Sequence, residues 1–594
     1  MKRKDCLITI LILLLIGMVG LAIKVERVKA HPSIIIKADG GVDPPGSPIS
    51  TVDNITYTFT ADISEPIVVE RDNIVIDGAS HTLYGGGTFS RGIDLIGRNN
   101  VTISGIEIRA FWTGISLWDS SDIKVYGNNL TANNAEGLHL VYSSNNKIFE
   151  NNITANRKGV YLFSSSNNTM YGNRIANHHG DLAVYITNSF NNTLYENIMN
   201  DNNYDLEVHG LTLEHFMHSI NGSNLVDGKP IYYLINQTDL TINPATYPQV
   251  GYLALINCLN ATVKNLNLTS NGHGLLLAYT NNSIITDNYI TNNFDGIWLY
   301  ASFSNTIFGN NLALSYYYGI YLDGNSSNNF ISRNNITNNA HGIELNEVSN
   351  NMLHGNNITD NEYGIYLWKS SNCIMYENTL TNNDHAVWLE SESTFPNNTF
   401  YHNNFLDNYQ HVHIYTAGSY ISGHNFWDNG VEGNYWNNYT GADTDNDGIG
   451  NALHVIDANN TDRSPLMGMF SNFQATPESN VQTICNSTVS NFTFNGTAVG
   501  FTMSGQDDTG GFCRITIPTA LMKTPFKVLV NGTEVSYTLL PASNSTHSVL
   551  YFTYEHSAQD VVIIPEFLSL LVLPIFMMAT LLATMVYRRR KTLR

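Results

Sequence analysis

The densest set of metal-ligating side chains is Asp443-Thr444-Asp445-Asn446-Asp447-Gly448-Ile449-Gly450. Carboxylates at alternate positions, followed by a glycine that permits a sharp turn, form the first half of a calcium loop, because hard oxygen donors suit that ion. The expected ligands are Asp443, Asp445, Asp447 and the carbonyl of Ile449. His454 stands where a complete loop carries a bidentate Glu, so Asp457 or Asp462 has to close the shell. A solvated acidic turn is the plainer account of the same residues. A second set is aromatic. Trp298, Tyr300, Tyr321, Tyr366, Trp368 and Trp388 fall at alternating positions of a repeated motif, and Trp118, Tyr161, Phe163 and Tyr185 hold comparable positions earlier. Ring faces on a rigid, flat array match the C–H faces of sugars, and their hydroxyl and indole groups reach the rims. The competing account is that the rings stack on one another or lie beneath a covering segment. For glycoside hydrolysis two carboxylates at a defined separation are the minimum, and Asp295 and Asp323 are the pair on nearby repeats.

The motif that positions these residues is Gly-Ile-x-Leu. It begins at Gly92, Gly114, Gly137 and Gly159, and returns at Gly274, Gly296, Gly319, Gly342 and Gly364, with Ala183 and Ala386 as degenerate copies. Successive starts lie 22 or 23 residues apart, a period that calls for a solenoid. Inside each period, Gly-Ile-x-Leu is followed by Ser-x-Asn-Asn and two Asn-x-Ile pieces, as in Gly342-Ile343-Glu344-Leu345, Asn350-Asn351-Met352-Leu353 and Asn356-Asn357-Ile358-Thr359. Each piece alternates like a short strand and none carries a helical period. Three short strands per turn, with Gly and Asn corners that tolerate left-handed geometry, describe an all-β, right-handed parallel β-helix. Ile and Leu point inward, the x residues point outward, and the Asn residues form corner ladders. At about 4.8 Å per turn, some fifteen turns make a rod around 70 Å long. Sequons such as Asn152, Asn335 and Asn357 are accounted for by their corner role, and glycosylation is only a permitted addition. The first turns form at Ile67-Val68-Val69 and Asn73–Gly78, after a capping segment from His31. The period breaks near 207–250, around Asp227-Gly228-Lys229-Pro230-Ile231-Tyr232-Tyr233, which predicts an excursion over one face.

The chain's 594 residues exceed one simple domain at about 150 residues each. A net charge of −21 argues against a nucleic-acid partner, and 43% hydrophobic residues argue against disorder. Five cysteines without a CxxC pair exclude both a disulfide framework and a zinc ribbon. Residues 1–30 read as a signal peptide, with Lys2-Arg3-Lys4, an apolar run from Leu7 to Ile23 and Val28-Lys29-Ala30 at the cleavage position. A second apolar run within 563–587 predicts a transmembrane helix, and the basic tail 588–594 stays cytoplasmic. Single-pass anchoring leaves the bulk of the chain outside the cell. The expected domains between the two ends are the β-helix over 31–470, with the calcium-loop-like exit near 443–450, and a small β-sandwich stalk over 471–562. Its Asn-Gly turns fall at Asn495 and Asn531, and Cys485 and Cys513 are expected to pair as a disulfide in that compartment. Cys258 and Cys373 sit in core-like positions and are expected to pack as small apolar residues.

The repeats, the Asn73–Gly78 opening, the Asp227-Gly228-Lys229-Pro230 insertion and the Gly433-Asn434-Tyr435-Trp436 exit resemble the NosD family over roughly residues 50–470. That family belongs to a wider group of β-helix domains in carbohydrate-binding proteins and sugar hydrolases. The resemblance implies copper binding or delivery, for which His411 and His413 are the available pair, with His402, His424, His178, His179 and a mature N-terminal His31 as further imidazoles. It also implies a possible hydrolase or lyase. Gly272-His273-Gly274 is similar to one fragment of the pectin-type enzymes, but the neighbouring repeats lack their Asp-Asp pair and their Arg-x-Lys. Pro565-Glu566-Phe567 resembles the sorting tails of archaeal surface proteins, which implies processing by an archaeosortase. Three functions follow as expectations. The first is non-catalytic binding of extracellular polysaccharide or glycoprotein through the rings Tyr161, Trp298, Tyr300, Tyr321, Tyr366, Trp368 and Trp388. The second is copper handling, and the third is carbohydrate cleavage.

Overall fold

The computed structural model describes residues 33–566 apart from 88, 391–395 and 416–422, together with 582, 584 and 585. The expected signal peptide and nearly all of the expected membrane helix and basic tail lie outside the described residues. Among the described residues no helix is long and apolar enough to cross a membrane. The chain divides into two compact units, residues 1–283 with 287–302 and residues 284–286 with 303–594.

The first unit is a coil of short parallel strands. One nine-stranded sheet runs from Val42–Asp43 to Tyr204–His209, a second holds Ile74–Asp77 through Thr193–Tyr195, and a third starts at Thr82–Tyr84. Ile115, Leu138, Val160 and Val184 pair in register from turn to turn and are all but inaccessible to solvent. The third sheet continues through an antiparallel contact between Leu225–Val226 and Lys229–Ile235 into the strands Tyr252–Ile256, His273–Ala278 and Asp295–Tyr300.

The second unit repeats the plan. Strands Tyr318–Asp323, His341–Asn346, Tyr363–Trp368, His385–Glu390 and Gln410–Tyr415 form one parallel sheet. Ile320, Ile343, Ile365 and Val387 stack in register within the coil. Ile343 and Leu345 are 0% exposed, whereas Tyr366 and Trp368 keep part of their surface, so the predicted inside and outside are correct here. Burying each such aliphatic side chain contributes about 1.5–3 kcal/mol, repeated at every turn.

The corners show a division of labour that the sequence pattern did not separate. At one corner the first Asn of the pair, as at Asn334 and Asn356, is buried and builds the ladder, whereas at the other corners it is the second, as at Asn329, Asn339 and Asn351. Asn310, Asn334, Asn356, Asn378 and Asn403 each donate a backbone N–H to the next turn's Asn Oδ1, ending at Asn434, at 3.0–3.1 Å. The residue before each ladder Asn takes the left-handed conformation, for example Arg333, Gly355, Glu377 and His402 at φ 53–61°. The sequon positions Asn335 and Asn357, each following a ladder asparagine, face outward and are exposed, whereas Asn404 after Asn403 is buried and donates to the Phe470 carbonyl. Two histidines stand in for ladder asparagines. His178 bridges the carbonyls of Asn156 and Ile153 with its two ring nitrogens, and His218 Nδ1 accepts the Asn192 N–H. The motif glycines have a different reason from the one expected. Gly342 is not left-handed; a Cβ there would lie 2.6 Å from the Gly364 carbonyl, so only glycine or a small displacement fits that close approach.

Beyond the last coil, residues 469–565 form two five-stranded antiparallel sheets around a shared core that includes Val481, Phe501, Ile515, Val528 and Ile563. Cys485 and Cys513 lie directly opposite each other on neighbouring strands. Both are buried and unbridged, the Cys485 thiol lying 3.2 Å from the Tyr554 hydroxyl. Cys258 and Cys373 are buried in the coil core.

Candidate functional site

In the first unit the rings expected to face solvent are sealed. Residues 205–218 lie across the outer face of the strands His273–Ala278 and Asp295–Tyr300, every residue of which is buried. The Gly272 N–H donates to the Leu206 carbonyl at 3.1 Å and the Tyr300 hydroxyl to the Leu211 carbonyl at 2.8 Å. Phe216 packs against Trp298 and Tyr300, and His209 stacks on Trp298 at 4.9 Å. Trp298 is 1% exposed and Tyr300 7%, so both leave the expected sugar-binding set, because the excursion roofs that part of the sheet.

Beneath this strap lies a buried acid–base cluster. His273 Nδ1 is 3.3 Å from Asp295 Oδ2, with Glu207 beside them, and all three are under 10% exposed. Burial pushes the Glu207 carboxyl up to about 7 and the nearby Asp205 up to about 8. Burial opposes the charge on His273, but the Asp295 hydrogen bond and the charges of Glu207 and Asp295 outweigh it and raise the imidazole. His209 and His218 are pushed down to about 4 by burial. Asp295, expected as one half of a hydrolytic pair, is therefore an ion-pair partner in a covered cluster. The partner named for it, Asp323, belongs to the second unit, where its Oδ1 accepts the Gly324 N–H and burial raises its carboxyl.

The second unit keeps its outer sheet face accessible. Its five strands present fifteen outward side chains: Tyr318, Tyr321 and Asp323; His341, Glu344 and Asn346; Tyr363, Tyr366 and Trp368; His385, Trp388 and Glu390; and Gln410, His413 and Tyr415. Seven are aromatic and none is Lys or Arg, and only Glu344 is buried. Tyr318 stacks on Tyr321 at 4.3 Å, Tyr366 on Trp388 at 6.1 Å, and Trp388 on His413 at 3.9 Å. Polar tips are held as well. The Tyr366 hydroxyl donates to Glu390 Oε2 at 2.7 Å, the Asn346 amide donates to the Tyr321 hydroxyl, and His341 Nδ1 lies 2.8 Å from Glu344 Oε2. Burial, then the Glu390 bond, raises the Tyr366 hydroxyl above its ordinary value. Of the earlier rings, Tyr161 stacks between His139 and Tyr185 in the first unit, with Lys158 Nζ 5.1 Å from its centroid.

The aspartate loop has the expected convergence but not the expected closure. One oxygen from each of Asp443, Asp445 and Asp447 falls within 4.8 Å of the others. The Asp447 and Gly448 N–H groups donate to Asp443, and the Ile449 N–H donates to Asp447. Asp457 and Asp462 do not complete the shell. Asp457 accepts bonds from Asn459 and Asn460, and Asp462 accepts from Asn434, the Trp436 indole and Ser464. Nor do His411 and His413 share a strand face. His411 follows Ala386 in register, in the crowded glycine column, and its ring nitrogens meet Asn437 and Asn408. His413 lies outward on Trp388. Strict alternation fails at that column because two consecutive buried residues occupy each strand there, as at Gly342 and Ile343.

Such a coil, with one ring-lined outer face and ladders of buried amides, defines the right-handed parallel β-helix class. The chain belongs to the family described as periplasmic copper-binding protein (NosD), which matches residues 41–232, 218–395 and 318–441. That description accords with an extracytoplasmic location for the bulk of the chain. No curated protein matches the sequence. Among solved structures, the Dettilon tailspike protein is 13% identical and is aligned over 84% of this chain and 87% of its own, with a TM-score of 0.24. An alginate lyase from Paenibacillus sp. is 12% identical over 47% of this chain and 94% of its own, with a TM-score of 0.22. The mannuronan C-5 epimerase AlgE4 A-module of Azotobacter vinelandii is 12% identical over 60% and 91%, with a TM-score of 0.25. The copper of the family's description does not fit the donors seen here. Among the described residues the aspartate trio is the one convergent group of three or more His, Cys, Asp or Glu, and its hard oxygen donors suit calcium rather than copper. His402 is paired with Glu432, and His178 with two carbonyls.

Proposed function

We propose that the chain is a membrane-anchored, extracellular β-helix that binds polysaccharide without cleaving it, through the outer sheet face of its second unit. The observation that carries this reading is the set of seven rings among fifteen outward positions, of which fourteen keep solvent exposure. Exposed strand positions ordinarily carry Thr, Lys or Ser, and half-exposed rings with fixed polar tips suit sugar stacking. Tyr316 and Tyr317, 58% and 40% exposed, extend the aromatic surface at one side. The binding set is accordingly Tyr321, Tyr366, Trp368 and Trp388, with Tyr318, Tyr363 and Tyr415 added. Tyr318 and Tyr363 stand before the motif glycine and not at x, and Tyr415 ends a strand, Gln410–Tyr415, that lacks the Gly-Ile-x-Leu motif. A glycan array probed with the full chain and with a Trp368→Ala/Trp388→Ala double variant tests it; equal binding by both proteins rejects the face. The aspartate loop is read as a structural calcium site next to the sandwich, since Arg514 of that domain donates to the Asp447 carbonyl.

A further inference from the structure

We propose that this face selects glycans carrying free amino groups over neutral ones and rejects polyuronates, an inference that rests on the polysaccharide reading above. The outward positions hold three carboxylates, Asp323, Glu344 and Glu390, and no Lys or Arg, within a chain of net charge −21. A polyanion approaching this surface meets like charge, whereas an ammonium meets carboxylates set among ring faces.

The molecule already places ammonium groups in this way. Lys158 Nζ lies over the Tyr161 and Tyr185 rings at 5.1 and 5.3 Å and is 3.3 Å from Asp181. Lys369 Nζ lies over Trp368 at 4.5 Å and is 3.6 Å from Glu347. Each pairs an aromatic face with a carboxylate beside it. Glu390 offers the same combination to a ligand. In its column it is flanked by Trp368 on one turn and Tyr415 on the next. Trp388 precedes it by two residues on the same side, and Tyr366 donates to one of its oxygens. A carboxylate set beside Trp388, Tyr366 and Tyr415, next to a Trp368 ring that already carries the Lys369 ammonium, is the arrangement that recognises an ammonium by cation–π attraction together with direct charge pairing.

The test uses the full chain and three probes of equal length: a glucosamine hexamer, an N-acetylglucosamine hexamer and a galacturonate hexamer. The glucosamine hexamer is expected to bind about tenfold more tightly than its N-acetylated counterpart, the scale of one cation–π and charge contact, with the galacturonate hexamer weakest. Glu390→Gln, which keeps the shape and the Tyr366 bond, is expected to erase that preference while leaving the N-acetylated hexamer within about twofold. If either uncharged or acidic hexamer binds as tightly as the amine, or if Glu390→Gln leaves the ratio unchanged, the selectivity is wrong and the polysaccharide reading stands. If none of the hexamers binds, both fail.

Discussion

Replacing Asn356 by alanine tests the claim that the buried amide ladders, and not the outward sequon residues, hold successive turns together. The Asn356 side chain accepts from the Asn334 N–H and its Nδ2 group, each at 3.0 Å, and donates to the Ile331 carbonyl and Asn378 Oδ1, each at 2.9 Å. It is 1% exposed, so water does not replace it. The Asn334 N–H is orphaned outright, at about 1–3 kcal/mol, and the other lost bonds cost about 0.5–1.5 kcal/mol each. Asn334 Nδ2 keeps the Ile307 carbonyl, and Asn378 Oδ1 keeps the Asn356 N–H, which favours the lower half of those ranges and a total of about 3 kcal/mol. In a solenoid each turn is stabilised mainly by its neighbours, so the loss stays local. Hydrogen exchange of the full chain, read on peptides spanning residues 330–381, is expected to accelerate there by about two orders of magnitude. Asn357→Ala is the control, because that residue is exposed and its amide donates only to Asn335 Oδ1. Exchange within about threefold of the unsubstituted chain, or equal effects of the two substitutions, would refute the ladder's role.

The covered cluster of the first unit makes stability fall as pH rises. Glu207 and Asp205 keep their protons in the fold up to about 7 and about 8, above the unfolded values near 4. The unfolded chain therefore ionises first, and stability declines from about pH 4 to 8. The raised His273 has the same sign, its contribution being present at low pH and lost as pH rises through its folded value. His209 and His218 oppose this only below about pH 6.5. Glu207→Gln should flatten the decline of melting temperature between about pH 5 and 7, and an unchanged slope counts against the cluster as its source. Trp298→Ala should cost about 3–5 kcal/mol of stability in the first unit and leave glycan affinity alone, whereas Trp388→Ala should do the reverse; matching effects in both assays would show that the strap does not seal Trp298. Calcium at a hundred times its dissociation constant should stabilise the fold by about 2.7 kcal/mol, an effect removed by a chelator and absent in Asp445→Asn. A melting temperature indifferent to calcium leaves the trio a solvated turn. Mild oxidant should join Cys485 to Cys513 in the full chain, since their strands are already in register, and two thiols still titratable afterwards would exclude the pairing.

The coil was legible in the sequence because its two determinants are local and periodic. Ile343 and Leu345 alternate with outward residues, and a 22–23-residue spacing brings each to its counterpart on the next turn. Residue type alone did not separate the two asparagines of a corner, because either can bond to a neighbouring turn; the amide that turns inward is the one that follows the left-handed residue, Asn356 after Gly355 but Asn351 after Asn350. Nor did alternation warn that His411 leaves the strand face. The glycine column places two buried residues in succession, and a histidine in that column must turn toward Asn437 and Asn408.

The candidate face was half legible for a reason visible in its own column. In the first unit, Ala254, Leu276 and Trp298 share one outward register, and a strand apolar on both sides is one covered on both sides. Trp298 therefore belongs with Ala254 and Leu276, beneath a roof, while the half-exposed Asn346 and Glu390 on either side of Trp368, and the Tyr366 hydroxyl bonded to Glu390, mark positions that water or a ligand reaches. What the pattern did not contain was the identity of the roof. The Tyr300 hydroxyl meets Leu211 across 89 positions of sequence, a contact fixed by the path of the excursion and not by any period. A ring in a repeat is thus a binding candidate only where its register neighbours are polar, and by that criterion the amine-selective surface begins at Tyr318 and Tyr321.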